Sequence, residues 1–128
     1  MQRTNFSSGT PWESLAGYSR VVRIGNFVFV AGTSSADTDG SIHGGESAYE
    51  QTKFILGKIE SALNQAGSEL KDVVRTRIFV RDMSMYNDIL KAHNEFFHDI
   101  RPASTIVEVN SLIAKEMLVE IEADAIIV

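Results

Sequence analysis

Arg101–Val128 reads RPASTIVEVNSLIAKEMLVEIEADAIIV. Side chains alternate across a β-strand, and two stretches here have that alternation. Ala103–Val109 is the shorter. In Leu118–Val128, residues Val119, Ile121, Ala123, Ala125 and Ile127 share one face, while Leu118, Glu120, Glu122, Asp124, Ile126 and Val128 share the other. The first set is a core face. The second places three acids in a row, which suits either a solvated surface or the wall of a polar cleft.

One other strand pattern can balance those acids. Val73–Asp82, VVRTRIFVRD, puts Val74, Thr76, Ile78 and Val80 on one face and Arg75, Arg77, Phe79 and Arg81 on the other. Side by side, the two strands set arginines opposite carboxylates, each cross-strand pair contributing roughly 0.2–1 kcal/mol. The pattern predicts that these strands are neighbours. The acids then have two readings: structural ion pairs throughout, or ion pairs that leave Glu120 free to act on a ligand.

The 128 residues are the size of one domain, 1–128. With 12 basic and 17 acidic residues the net charge is −5, and there is no basic run. Nucleic-acid binding draws on a basic surface, so nucleic acid is not an expected partner. The chain has no cysteine, which excludes disulfides, thiolate nucleophiles and cysteine metal sites. The opening MQRTNFSSGTPWE lacks the apolar centre of a signal peptide, and no apolar run approaches the roughly 20 residues of a membrane span. The expectation is a cytoplasmic protein that does not engage the membrane.

Toward the N-terminus, Arg3–Phe6 has the look of a short edge strand, and Trp12 lies in a stretch read as irregular, packing on the body or on a partner subunit or stacking on a ligand. Tyr18–Ile24 and Phe27–Gly32 form a hairpin through Gly25-Asn26, a pair suited to primed turns. Phe27–Ala31 is apolar on both faces and calls for cover on both sides, helices on one and another subunit on the other. Thr33–Glu46 reads as loop; its Asp37-Thr38-Asp39-Gly40 lacks the closing Glu of a calcium loop and is a turn. Helical spacing of Ala48, Thr52, Ile55, Leu56, Ile59, Ala62, Leu63 and Ala66, with the Ser47/Glu50 capping pair ahead and Gly67 behind, predicts a helix over 48–66. A second helix over 84–97 carries Tyr86, Ile89, Leu90, His93, Phe96 and Phe97 on its stripe, with His93 read as a satisfied packing residue. Pro102 ends it.

The order (β)-β-β-α-β-α-β-β gives an α+β fold, a mixed sheet with two helices packed on one face. The other face mixes apolar and charged residues without its own helix layer. Such a face implies association, and a homo-oligomer is expected.

These residues resemble the RidA family, also called YjgF or L-PSP endoribonuclease. The resemblance runs from Gly17-Tyr18, Ile24-Gly25-Asn26 and Val30-Ala31-Gly32 through Asp72-Val73-Val74, Ile78–Asp82 and Phe96-Phe97 to Pro102, VEV and VEIEADA. It implies a chorismate-mutase-like fold with a six-stranded sheet. It also implies a homotrimer with a small-molecule cleft at each subunit interface, and the hydrolysis of reactive enamines and imines without metal or organic cofactor. Carried over residue by residue, it makes Glu120 the carboxylate that positions the hydrolytic water. Tyr18, Gly32, Phe79, Ser104, Thr105 and Ile106 become substrate-binding residues.

The chain departs from the family at the clamp. Active members read P-A-R-S-x-V-E-V, and the arginine holds the substrate carboxylate with its fork of donors. Here Ser104 stands in the arginine's place, Ile106 where cysteine is frequent, and Ala31 where a small hydroxyl residue is usual. A hydroxyl supplies no charged bidentate clamp. The other arginines that could anchor an anion are Arg20, Arg75, Arg77, Arg81 and Arg101, the last at an odd offset. Two readings follow: a hydrolase of enamine- or imine-type metabolites on a non-standard substrate, and a non-catalytic trimer binding a metabolite or protein in the same cleft. An endoribonuclease ranks behind both, because the chain is acidic and His43, His93 and His98 fall on separate elements.

Overall fold

A computed structural model describes residues 1–128. The strands are β1 (Arg3–Phe6), β2 (Val21–Ile24), β3 (Phe27–Thr33), β4 (Val73–Val80), β5 (Ala103–Glu108) and β6 (Val119–Ile126). They form one six-stranded sheet in the order β1-β2-β3-β6-β4-β5. Only β4 and β5 run parallel; the other neighbours are antiparallel. The helices are α1 (Pro11–Ala16), α2 (Ala48–Gln65) and α3 (Tyr86–Phe97).

The expected neighbours pair as β4 and β6, in a register that sets Arg75 opposite Asp124, Arg77 opposite Glu122 and Phe79 opposite Glu120. Thr76, Ile78 and Val80 face the helices together with Val119, Ile121 and Ala123, and all six are buried. Val74 is a correction. The ladder shifts between Val73 and Arg75, so Val73 is buried and Val74 is 43% exposed. A bulge inserts one extra residue and resets the alternation, which a strict period of two assigns to the wrong face.

α2 buries the stripe its spacing implies, and Ser47 Oγ accepts from the Glu50 N–H at 3.1 Å. The stripe also contains Gln51, which is fully buried. Its Nε2 donates to the Gly45 carbonyl at 2.8 Å and the Glu116 carbonyl at 2.9 Å, and its Oε1 accepts from the Leu118 N–H at 3.0 Å. One side chain thus ties the loops at both ends of the 45–118 span. α3 begins at Tyr86, the first residue of its stripe and two residues after the expected start at 84, because Asp82 caps a 3₁₀ turn at Met83–Met85.

Two further expectations change at element ends. Trp12 is not in irregular chain but on α1, a helix too short to show periodicity. Pro11 occupies its first turn, where a missing N–H costs nothing. Tyr18 is not in the hairpin strand, which begins at Val21. The hairpin turn itself is as read, with the left-handed φ of 57° on Gly25.

The face opposite the helices is open. On it Phe27 and Phe29 are 43% and 44% exposed, with Val107 and Ile126 beside the charged ladder.

Replacing Gln51 with leucine keeps the volume and removes three part-buried hydrogen bonds to the backbone. The expected cost is at least about 2 kcal/mol in chemical denaturation, with faster amide exchange at Leu118; an unchanged midpoint would refute this account.

Candidate active site

Glu120 begins with the ladder. Arg77 Nη1 lies 3.3 Å from Glu122 and 3.1 Å from Asp124, so one guanidinium holds two of the three acids. Opposite Glu120 the ladder offers Phe79 instead of an arginine. Arg81 is turned to the Lys115 carbonyl at 3.3 Å. Of the two readings of the acid row, the geometry favours the one that leaves Glu120 unpaired.

What surrounds Glu120 comes from the other side. The β3–β6 register breaks between Val30 and Thr33, and Gly32 lies in that break. A Cβ on Gly32 would stand 3.2 Å from Glu120 Cδ and 3.3 Å from its Oε2, so the missing side chain makes room for the carboxylate. Glu120, Gly32, Tyr18, Trp12, Arg20 and Lys58 line one cavity with Ser8, Thr10, Ser34, Ile113 and Met117. Its volume of about 40 Å³ suffices for a water molecule.

A second acid holds the rim. Glu13, on α1, is 4% exposed. Its carboxylate accepts from Ser7 Oγ at 2.8 Å, the Ser8 N–H at 3.0 Å, Thr10 Oγ1 at 2.9 Å and Ser8 Oγ. Arg20 reaches it at 3.5 Å. The Arg20 guanidinium also donates to the Gly32 carbonyl at 2.7 Å and to Thr33 Oγ1 at 3.1 Å, which fixes the break in β3 that accommodates Glu120. Tyr18 follows the left-handed Gly17, its N–H donating to the Glu13 carbonyl at 3.0 Å, and its hydroxyl accepts from Arg20 at 3.5 Å. Lys58, from α2, donates to the Ser34 and Ala36 carbonyls at 2.9 and 2.6 Å.

The two acids are driven apart. Burial raises the Glu120 carboxyl above the ordinary glutamate value; the Arg20 charge opposes that rise and Glu122 adds to it. Burial acts in the same upward sense on Glu13, but the Ser8, Ser7 and Thr10 donors overcome it and hold that carboxyl at about 2. Burial also lowers Lys58. Neighbouring carboxylates with opposed shifts separate an acid–base group from a permanent charge.

Of the residues the sequence singles out, Tyr18, Gly32 and Glu120 meet in this cavity, with Phe79 across the strand from Glu120. Ser104, Thr105 and Ile106 do not join them in one chain. They lie on β5, the far edge strand, two positions from β6. Ser104 and Ile106 pair with Thr76 and Ile78, on the helix side, whereas Thr105 pairs with Arg77 on the open face. Among the arginines proposed as anchors, Arg20 is committed to backbone carbonyls and Arg77 to two acids. Arg101 sits in left-handed backbone (φ 56°) after α3, its N–H donating to the Phe97 carbonyl at 2.8 Å. Sequence reasoning missed Glu13 and Lys58. The cue for Glu13 was Ser7-Ser8-Gly9-Thr10 just ahead of it, a run of short donors before an acid; Lys58 carries no cue of its own.

The two acids predict opposite responses to pH. Glu13 is depressed, so its contribution is full above about pH 4.5, the ordinary value, and is lost as pH falls toward about 2. Glu13→Gln should destabilise by about 1.5–3 kcal/mol at neutral pH, the deficit closing across that window. Glu120 is raised, so its ionisation opposes folding above its own pKa. Glu120→Gln should raise the melting temperature at neutral pH and leave it unchanged well below pH 4.5, the ordinary value. Thermal melts across pH check both, and parallel curves for either variant would overturn its assignment.

Comparison with known proteins places the chain. The profile of the family described as Endoribonuclease L-PSP matches residues 9–127. A protein of Acinetobacter baylyi named 3-aminoacrylate deaminase RutC is 36% identical over 118 residues, 91% of each chain. A RutC family protein of Pyrococcus abyssi, PYRAB12510, is 37% identical over 109 residues, 84% of each chain. Among solved structures, Rv2704 of Mycobacterium tuberculosis, described as a member of the YjgF/YER057c/UK114 family, superposes with a TM-score of 0.90 at 48% identity, covering 98% of this chain and all of that one. The six-stranded sheet with helices on one face is the fold of these relatives. The chain belongs to the RidA/YjgF family, described as Endoribonuclease L-PSP.

Proposed function

We propose that the protein hydrolyses small enamine- or imine-type metabolites in a cleft completed by a second copy of the chain within a homotrimer. The observation that carries this reading is Glu120. It is the one acid of the β6 row without an arginine partner, it is half-buried with a raised pKa, and it faces a water-sized cavity shared with Tyr18 and Gly32. A carboxylate whose pKa is moved toward the working pH is suited to general base and acid work.

In this scheme the enamine tautomerises to an imine and water adds to the C=N carbon. Glu120 takes a proton from that water. With the imine nitrogen already protonated the addition gives a neutral carbinolamine; Glu120 returns its proton to the nitrogen, ammonia leaves, and the hydroxyl gives its proton to solvent as the C=O bond forms. The relative named 3-aminoacrylate deaminase supports the class of reaction. The trimer is supported by the open face, where Phe27, Phe29, Val107 and Ile126 are each between 38% and 44% exposed. Such a patch calls for a partner surface. A neighbouring copy's β5 edge would bring Ser104, Thr105 and Ile106 to the Glu120 cavity, joining residues that one chain keeps apart.

A second reading, a non-catalytic trimer that binds a metabolite or protein in the same cleft, is favoured by Ser104. Its hydroxyl is 2.8 Å from buried Thr76 Oγ1 and supplies no charge for a substrate carboxylate. A hydrolase would then act on a ligand held by other groups.

Ammonia release from imines generated in place by an amino-acid oxidase separates the two. The wild type should accelerate release, Glu120→Gln should lower the rate by roughly 100-fold or more, and both should sediment at three times the chain mass. No acceleration with any imine, from a protein that remains trimeric, overturns the hydrolase reading in favour of the binder. A monomeric mass at micromolar concentration overturns the shared cleft.

A further inference from the structure

Three side chains form a continuous hydrogen-bonded chain outside the Glu120 cavity. Thr76 Oγ1 lies 3.0 Å from His93 Nε2 and 2.8 Å from Ser104 Oγ. The three come from separate elements: His93 from α3, Thr76 from central β4, Ser104 from edge β5. Thr76 is fully buried, His93 is partly buried, and Ser104 is exposed. The chain therefore runs from an imidazole, through one dry hydroxyl, to a hydroxyl in solvent.

The imidazole is held in place. Its ring leans on Phe97 with centroids 4.7 Å apart and planes 40° apart. It also lines an open cavity of about 720 Å³ with Leu90, Lys91, Asn94, Arg101 and Pro102, while Ser104 itself is exposed. Each hydroxyl has one hydrogen. In the structure the Thr76 hydroxyl donates to Ser104 Oγ; when Nε2 carries no proton, Thr76 turns to donate to His93 and Ser104 donates to Thr76 in its place. That is the order a nucleophile needs: the attacking oxygen loses its proton to a neighbour within hydrogen-bond reach, which in turn reaches an oriented base.

We propose that Ser104 is an activated nucleophilic hydroxyl, whose proton passes through Thr76 to His93 when the oxygen attacks an acyl or sulfonyl electrophile. Ser104 is the catalytic residue; Thr76 and His93 are positioning residues that act through it. With an ester, the Ser104 Oγ–acyl bond forms, the bond from the acyl carbon to the alcohol oxygen breaks, and the Ser104 proton rests on Nε2 until the leaving group takes it. Water then cleaves the acyl-serine, its proton following the same path. This chemistry uses Ser104, which the Glu120 reading also places in the shared cleft, but it needs neither Glu120 nor Tyr18 nor Gly32. Burial lowers His93 below its ordinary value, which keeps the base unprotonated at neutral pH. The titratable groups around it are Lys91, His98 and Arg101 of the same cavity wall. β4 and β5 face the ring with the uncharged hydroxyls of Thr76 and Ser104, and Glu95 of α3 is engaged by Tyr49 of α2 at 2.7 Å.

The probes are phenylmethanesulfonyl fluoride and p-nitrophenyl acetate, applied to the full chain. With the fluoride, the Oγ–S bond forms and fluoride leaves. Peptide mass mapping should place the adduct on Ser104, and Ser104→Ala should abolish it. His93→Gln should slow labelling by roughly 100-fold or more. Thr76→Val, which keeps the shape and removes the relay, should do the same, while Thr76→Ser restores the rate. The wild-type rate should rise with pH through a single step below pH 6.5, the ordinary value, and the step should vanish in Thr76→Val. Melting temperature confirms that each variant is folded. Absence of a Ser104 adduct, or labelling that His93→Gln and Thr76→Val leave unchanged, would overturn the proposal and reduce the chain to a packing contact.

Discussion

Everything about the Glu120 site depends on the register between β4 and β6. Arg77 sits between Glu122 and Asp124, and that arrangement exists in one register only. A slip of one residue would turn Val119, Ile121 and Ala123 outward and drive three carboxylates into the core. Each surface ion pair is worth little by itself. The cost of burying the acids is what enforces the alignment, and the ion pairs then take the acids that face arginine. Because Phe79 and not an arginine falls opposite Glu120, the same constraint leaves one acid unpaired at a fixed place.

A second network holds the surroundings of that acid. Arg20 joins the Glu13 carboxylate, the Gly32 carbonyl and Thr33. Through it, the N-terminal loop, α1 and the break in β3 are one polar unit. Glu13 is saturated with donors and stays charged. Glu120 has the burial without the donors and is raised. Hydrogen bonds in a low-dielectric setting strengthen one another when satisfied and penalise whatever is left unsatisfied, and here the two outcomes occur on two glutamates that share one arginine.

Ser104, Thr105 and Ile106 are far from this unit within one chain. β5 is joined to the sheet only through β4, and Ser104 faces α3. The side chain at 104 therefore belongs to the helix-side layer, with Thr76 and His93, while Glu120 belongs to the open face. An arginine at this position has the length to reach out of that layer. Serine does not, and it bonds to what lies beneath it. The substitution changes the partners of the position as well as its charge.

The alternation of Leu118–Val128 and Val73–Asp82, the helical stripes and the Gly25-Asn26 turn were enough to establish the α+β order, the β4–β6 adjacency and the arginine–acid ladder. These follow from local periodicity, which is a property of the sequence. Family motifs grouped Tyr18, Gly32 and Glu120, and the three line one cavity. Position 74 was misread because a bulge changes the period without changing composition, and α1 was missed because six residues are too few to repeat. Glu13, Lys58 and Gln51 read as ordinary polar residues, since what distinguishes them is which distant carbonyls and donors they meet. The linear chain thus determined which side chains share a face. Only the tertiary structure decided which faces meet, because pKa shifts, the Arg20 network and the Ser104–Thr76–His93 chain arise from burial and contact between segments far apart in sequence.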